Sequence, residues 1–512
     1  MGEAVGRVMG GEGSGSTLTP KRLGAVAGFC ALISVLPFLF TPLPMMPDLF
    51  NHMARYAALY ADGATASRLA GYYEVHWTLV ANLGMDLLVY PFIRVFGTWH
   101  GPIIATALLP PLMIGALAAL SRAAWGRIVP TFFLALPFVY TYSFLFGFTN
   151  YHLAVALACI VTAGWIALPD LSAARRWVVF APSACVVWLA HLAGWGVLVV
   201  LVGAAEVVTG WRRSHAPFPT LWRSGLACLP LAVPVIPIVL HTGPAGIASG
   251  MGRFFDWPFK ERWLAFVLAS EWQPFDLASL ALLVGLATFL VMTERDGIEP
   301  RLLAGASALG ALFLILPRNM AGSSYADERL LPVAFMVFFL SFAPRRSQVQ
   351  AICFACGLAL FLSRLVLCAV GWHERGREAL ADLAVLRTVP EGSRIAVFGT
   401  GSLCDPWPLG GYDELPSLAI MDRHVFVNTV WNQPGTTLMR PVYNKDFGFN
   451  EVNSSYERSE SCPIGRTADA FLEALPRSRF DYVWTFSAAS FADPGLAFVA
   501  AGPKAKLYRV LR

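Results

Sequence analysis

The sequence predicts a polytopic α-helical membrane protein. It would have about eleven transmembrane helices, interfacial helices in the first outer loop, and a C-terminal extracytoplasmic α/β domain. Three observations carry this reading. Of 512 residues, 56% are hydrophobic and only 14% charged, against roughly 25% charged in a soluble chain, which is too little charge to cover a soluble fold of this size. The apolar residues gather in runs of about 17–24, the length a bilayer core demands of a helix. After residue 372 the pattern changes to short strand-like runs. The 36 Phe and 16 Trp suit bilayer interfaces. The net charge of +5 sits in short loops between apolar runs, which argues against nucleic acid as a partner.

Residues 1–20 are Gly/Ser-rich, without periodicity, and read as a disordered cytoplasmic tail. Lys21 and Arg22 precede an apolar run at 23–40, with no small-residue cleavage site after it, so an uncleaved first span is expected. Ten further spans are expected near 102–120, 129–147, 151–168, 176–192, 194–210, 224–241, 275–293, 301–317, 329–343 and 348–371.

The stretch 78–97 is long enough to cross, but it carries Asn82, Asp86 and Arg94 and is interrupted by Pro91. Lys and Arg concentrate in short cytoplasmic loops. If 78–97 lies along the outer interface, Arg122/Arg127, Arg175/Arg176, Arg212/Arg213/Arg223, Arg295/Arg301 and Arg345/Arg346 all fall on the side of the N-terminus. It is therefore read as an interfacial helix. Residues 21–372 become the membrane domain, with an outer loop at 42–101, and 373–512 a periplasmic domain.

In that domain, 393–398 and 480–486 read as buried strands, 468–475 as a helix, and 507–511 as a closing strand. Seven of the nine Cys lie in apolar segments; Cys404 and Cys462 lie in polar sequence. Whether these two pair in an oxidising periplasm or stay as thiols is left open by spacing alone.

Ionisable residues at a membrane are the default functional candidates. The first cluster is Asp48, His52 and Arg55, which share one helical face after Pro47. An acid, an imidazole and a guanidinium there suit a base, a shuttle or metal ligand, and a phosphate clamp. The bland alternative is a capping Asp, at or near the N-cap, on a solvated face. The second cluster is Glu74, His76 and Asp86; with Asp48 and His52 these are the candidate ligands for a divalent metal, against an aromatic belt with solvated polar residues. The third is Arg318, Tyr325, Asp327, Glu328 and Arg329 in a late outer loop. An Arg on the outer side suits a phosphate ligand; the alternative is pairing of Arg329 with Asp327 or Glu328 and snorkelling of Arg318. Lys260 lies in the loop 242–274, a further interfacial candidate.

The layout resembles the GT-C superfamily of polytopic glycosyltransferases, the group of the protein mannosyltransferases and lipid A aminoarabinose transferases. The Met46–Tyr56 segment looks like the first-loop acidic motif of that family. The segment 82–97, ending in Val95-Phe96-Gly97, looks like its second interfacial helix, and Asp327-Glu328-Arg329-Leu330-Leu331-Pro332 like the Arg-containing start of a late span. Asp48 lacks the adjacent acid that many relatives have, and the Pro-Pro of the interfacial helix is reduced to Pro91.

The resemblance implies transfer of a sugar from a polyprenyl-phosphate donor to a glycan, lipid or protein acceptor at the periplasmic face of a bacterial inner membrane. Catalysis would fall on Asp48, His52 and Glu74, donor phosphate binding on Arg55, Arg318 and Arg329, and substrate contacts on Tyr325, Asp86 and His76. No cofactor is required; magnesium or manganese held by Asp48 and His52 is an open alternative. The rival readings are a transporter or flippase of a lipid-linked saccharide and a non-catalytic subunit of an envelope polysaccharide assembly complex.

Overall fold

The computed structural model describes residues 18–240, 252–320, 325–400, 407, 409, 412–430, 437–447, 449, 455–458, 465–488 and 491–512. Most of the N-terminal tail and both Cys404 and Cys462 lie outside these residues. Among the described residues, seven helices are long and apolar enough to cross a membrane: Pro20–Phe40, Gly84–Trp125, Thr149–Ala167, Ala173–Ala190, Leu192–Ser214, Gln273–Thr293 and Ser347–Thr388. Phe132–Phe146, Pro300–Ile315 and Leu330–Leu340 are shorter apolar helices. Large apolar side chains such as Leu32, Leu39, Val178, Met292 and Val366 point outward from these helices, as lipid-facing surfaces do.

Three segments depart from the expected spans. The run at 224–241 is not one helix: Pro217–Cys228 gives way to a 3₁₀ turn at Leu229–Ala232, where Pro230 supplies no backbone donor. The run at 129–147 is broken into Phe132–Ala135, a 3₁₀ turn at Leu136–Tyr140, and Tyr142–Phe146. The last helix continues past 371 to Leu383, so the chain leaves the membrane part inside a helix and not at a linker.

The 78–97 segment resolves as a helix starting at Gly84 and interrupted at Gly97, where φ is 77° and ψ 171°. Only glycine adopts that conformation freely. The piece before the break has room for about 20 Å of helix at 1.5 Å per residue, short of the roughly 30 Å of a bilayer core. The chain then folds back closely enough that a Cβ on Gly101 would meet the Ile93 backbone nitrogen at 2.7 Å.

The C-terminal part is a five-stranded mixed sheet in the order β3-β2-β5-β7-β6, with β2 Arg394–Phe398, β3 Phe426–Val427, β5 Tyr482–Thr485, β6 Leu496–Ala501 and β7 Lys506–Val510. The expected strands and the helix Ala468–Ala474 are present; β3 and β6 add to them. β2 runs parallel to β3 and β5, and β7 is antiparallel to β5 and β6. The sheet domain is locked to the segment between the first two long apolar helices by β1 (Tyr73–Val75), which pairs antiparallel with β4 (Met439–Pro441). The Pro47–Leu59 helix lies between the two halves. Its Leu49, Phe50, Met53 and Tyr56 belong to the core of the membrane part, and its Ala54 to the core of the sheet domain. It is therefore packed on both sides and does not carry the solvated face that was the bland expectation.

A buried ion pair inside the membrane part is reached from the C-terminal half by one side chain, Trp407. Arg364, 1% exposed, donates to Asp276 Oδ1 at 2.8 Å and to the carbonyls of Tyr140 and Leu268. Asp276 also accepts from Ser270 and from the Trp407 indole. Removing one partner strands a buried charge. Asp276→Asn is expected to cost about 3–5 kcal/mol, read as a lower apparent melting temperature in detergent; an unchanged value contradicts this.

Candidate functional site

Pro47 opens its helix as the first helical residue, and Met46 is the N-cap without a side-chain capping bond. Asp48 is thus a first-turn residue and not the cap, which leaves its carboxylate for other work while the helix dipole favours its charge. Its Oδ2 lies 3.1 Å from His52 Nε2, one turn on, and its side chain remains 23% exposed. Burial pushes the Asp48 carboxyl up, but His52, Arg55 and Arg329 outweigh burial and hold it below the usual carboxylate range. The other His52 nitrogen, Nδ1, has no partner among the described residues.

The turn of chain beneath Asp48 is equally specified. Gly147 closes the Tyr142–Phe146 helix at φ 112°. A Cβ there would meet the Leu49 nitrogen at 2.6 Å and Asp48 Cβ at 3.0 Å. Only a glycine lets this loop support the Asp48 backbone so closely.

Arg55 is engaged elsewhere. Its Nε donates to Asp86 Oδ1 at 2.8 Å and its Nη2 to Oδ2 at 3.1 Å, a bidentate fork between two buried side chains. Tyr60 donates to the Asp86 carbonyl. The expectation of Arg55 as a phosphate ligand and Asp86 as a substrate contact meets this lock: both groups have used their fork on each other, tying the Pro47–Leu59 helix to the one starting at Gly84. The Arg55 charge still acts on Asp48.

Glu74 and His76 are not brought to Asp48. They face each other at 3.3 Å, both well exposed, with Lys445 3.6 Å from Glu74. The pairing of β1 with β4 sets this position, and the Glu74 carboxyl is lowered chiefly by His76. A metal site joining them to Asp48 and His52 is not formed, and no group of three or more His, Cys, Asp or Glu able to hold a metal occurs among the described residues.

The late loop approaches the site from the opposite side. Arg329 stacks on the Phe148 ring at 4.3 Å, and its Nη1 lies 3.2 Å from His191 Nε2. The other ring nitrogen, His191 Nδ1, faces the Ala193 amide at 3.0 Å, so the ring is held between the backbone and the guanidinium. Arg318 stacks on Phe259 at 4.3 Å and on Tyr325 at 4.5 Å, and stands 3.8 Å from Glu328. Asp327 pairs with neither arginine but with the buried Lys260. Tyr325 holds φ 62°, a strained setting for a tyrosine of the kind found at functional sites. A crevice lined by Tyr142, Ser143, Trp263, Glu328 and Arg329 opens beside it.

Two acids were not singled out from the sequence. Asp413 and Glu414 come from the sheet domain just before the 3₁₀ turn Leu415–Ser417, which packs with the following helix Leu418–Arg423 along the Pro47–Leu59 helix. Burial pushes Asp413 up to about 7. Burial, Asp48 and Asp413 push Glu414 well above the ordinary carboxylate range. The adjacent acids in an apolar stretch were the available signal; nothing local says that the stretch folds back over Asp48.

No family model and no curated protein matches the sequence. Solved structures match it over almost its whole length. ArnT from Cupriavidus metallidurans in the apo state is 13% identical, with a TM-score of 0.55, covering 96% of this chain and 98% of that one. The same protein bound to undecaprenyl phosphate is 13% identical, with a TM-score of 0.48, covering 95% and 97%. The likeness to the apo structure is one of fold: a polytopic helical membrane protein with a C-terminal sheet domain.

Proposed function

We propose that this chain is a membrane glycosyltransferase that moves a sugar from a polyprenyl-phosphate donor to an acceptor at the periplasmic face, with the N-terminus cytoplasmic and residues beyond about 373 periplasmic. The observation that carries the reading is the convergence on Asp48. An ionised carboxylate, oriented by His52, sits within electrostatic reach of Arg329, where the first outer loop, the late outer loop and the sheet domain meet. The apo ArnT-like fold supports it, as does the sequence resemblance to polytopic glycosyltransferases.

In this reading Asp48 accepts the proton of the acceptor hydroxyl as that oxygen attacks the anomeric carbon. The sugar–phosphate bond breaks with inversion, and the bonding pair leaves on the lipid phosphate. Arg329 and Arg318 stabilise the charge that grows there, His52 orients the base, and Tyr325 lines the sugar side. Arg55 and Asp86 hold the Asp48 helix in place and supply field. Glu74 and His76 have no part in the step.

The transporter reading needs a polar path through the membrane. Arg364 is the obvious candidate for one, yet all three of its guanidinium nitrogens are already bonded.

Two variants test the assignment. Arg318→Ala is expected to raise the KM for the lipid donor about tenfold, the loss of roughly 1.4 kcal/mol of binding, with kcat less affected; an unchanged KM counts against it. Gly147→Ala removes no reactive group, but its Cβ must displace the Asp48 turn. A misplacement of about 1 Å costs on the order of 100-fold in rate, so kcat should fall by about that factor while donor binding persists; wild-type turnover would contradict the placement.

A further inference from the structure

Asp413 and Glu414 are held in an expensive state. Asp413 is 3% exposed and Glu414 6%, and Asp413 Oδ1 and Glu414 Oε2 have no hydrogen-bond partner among the described residues. An unpartnered buried polar group costs stability, and these acids come as a pair, on a segment packed against the very helix that carries Asp48. Their surroundings reach across the molecule. Asp413 lies within electrostatic range of Tyr142 of the membrane part and Tyr325 of the late loop. Tyr456 of the sheet domain is in range of both acids and of Tyr325, and Glu414 is in range of Asp48. A separate element adds its own open acceptor: neither oxygen of the buried Glu328 carboxyl has a hydrogen-bond partner among the described residues.

We infer that Asp413 and Glu414, presented by the sheet domain over Asp48, form the subsite that receives the sugar ring of the donor. The chemistry fits a polyhydroxylated ring. Carboxyl oxygens accept hydroxyl protons, and a carboxyl kept neutral by its burial also donates one. Tyrosine rings offer apolar faces and a polar rim to the ring's C–H surface. The bound sugar satisfies the buried acceptors, so discrimination is strong: a ligand lacking the hydroxyls leaves them unpaired. The lipid phosphate is held by other groups, Arg318 and Arg329, so recognition of sugar and of phosphate separates along the site. This inference rests on the glycosyltransferase reading, and it adds that the sheet domain selects the sugar.

The test is binding of undecaprenyl phosphate, and of its glucosyl, mannosyl, galactosyl and arabinosyl esters, to the full-length chain in nanodiscs. Wild type is compared with Asp413→Ala and Glu414→Ala, with melting temperatures measured alongside. Wild type is expected to bind one ester at least tenfold more tightly than bare undecaprenyl phosphate. Both variants should keep the affinity for the bare lipid within about twofold and lose the tenfold preference. Their melting temperatures should stay level or rise, because a buried carboxyl with an oxygen left without a hydrogen-bond partner among the described residues has been removed; a purely structural role predicts a fall. Variants that keep the preference for the ester overturn the inference alone, as does a wild type that binds the bare lipid with no preference among the esters. A wild type that binds neither the bare lipid nor any ester overturns the glycosyltransferase reading beneath it.

Discussion

Asp48→Asn is expected to lower transfer by at least about 1,000-fold, within the range for loss of a general base, while leaving the melting temperature and donor KM near wild type. The reasoning is local. Asn keeps the shape and a hydrogen bond to His52, now in place of the carboxylate contact at 3.1 Å, but it cannot take up the acceptor proton. The charges of His52, Arg55 and Arg329 hold the Asp48 carboxyl below the ordinary carboxylate range. Above that range the base is already ionised, so kcat at saturating donor should not fall as pH drops from neutrality to about 5. Turnover by Asp48→Asn within tenfold of wild type would remove Asp48 from the chemistry.

Arg329→Ala is the second large effect. The guanidinium lies over Phe148 at 4.3 Å and beside His191 at 3.2 Å, on a buried side chain whose charge reaches Asp48. Loss of a preorganised donor to a leaving group typically costs 100- to 1,000-fold, about 2.7–4 kcal/mol. The expected outcome is a fall of that order in kcat/KM, part of it in kcat because the phosphate gains charge as the bond breaks. Arg329→Lys should recover only part of it, since an ammonium lacks the planar fork and the stacking face. Equal kcat/KM in Arg329→Ala and wild type would mean that the leaving phosphate lies elsewhere.

Much of this was legible in the chain itself, for identifiable reasons. Membrane spans declare themselves because the bilayer imposes a length and an apolar composition, and the resemblance to polytopic glycosyltransferases ended the segment at Val95-Phe96-Gly97, where the structure breaks the helix at Gly97. Asp48, His52 and Arg55 could be placed on one face because helical periodicity is local. What escaped was decided by contacts distant in sequence. Arg55 looked available until Asp86, 31 residues on, occupied its fork. Asp327 looked like the partner of a neighbouring arginine until Lys260 reached it. Glu74 looked like a second site acid, but β4, far along the chain, holds its strand away from Asp48. The run at 224–241 read as a span by composition, which does not register where proline removes backbone donors. Asp413 and Glu414 lie in the sheet domain, and only the packing of Leu415–Arg423 on the Pro47–Leu59 helix brings them over Asp48.

The central claim is that this chain breaks a sugar–phosphate bond and does not simply carry a lipid-linked sugar. The most direct test places the purified protein in proteoliposomes with undecaprenyl-phosphate monosaccharides and a bacterial envelope lipid and polysaccharide extract as acceptor, and follows the lipids by mass spectrometry. The account predicts that one sugar-bearing lipid is converted to bare undecaprenyl phosphate, with the sugar recovered on the acceptor, and that Asp48→Asn abolishes the conversion. Movement of the intact sugar-lipid between leaflets without any release of undecaprenyl phosphate would contradict it.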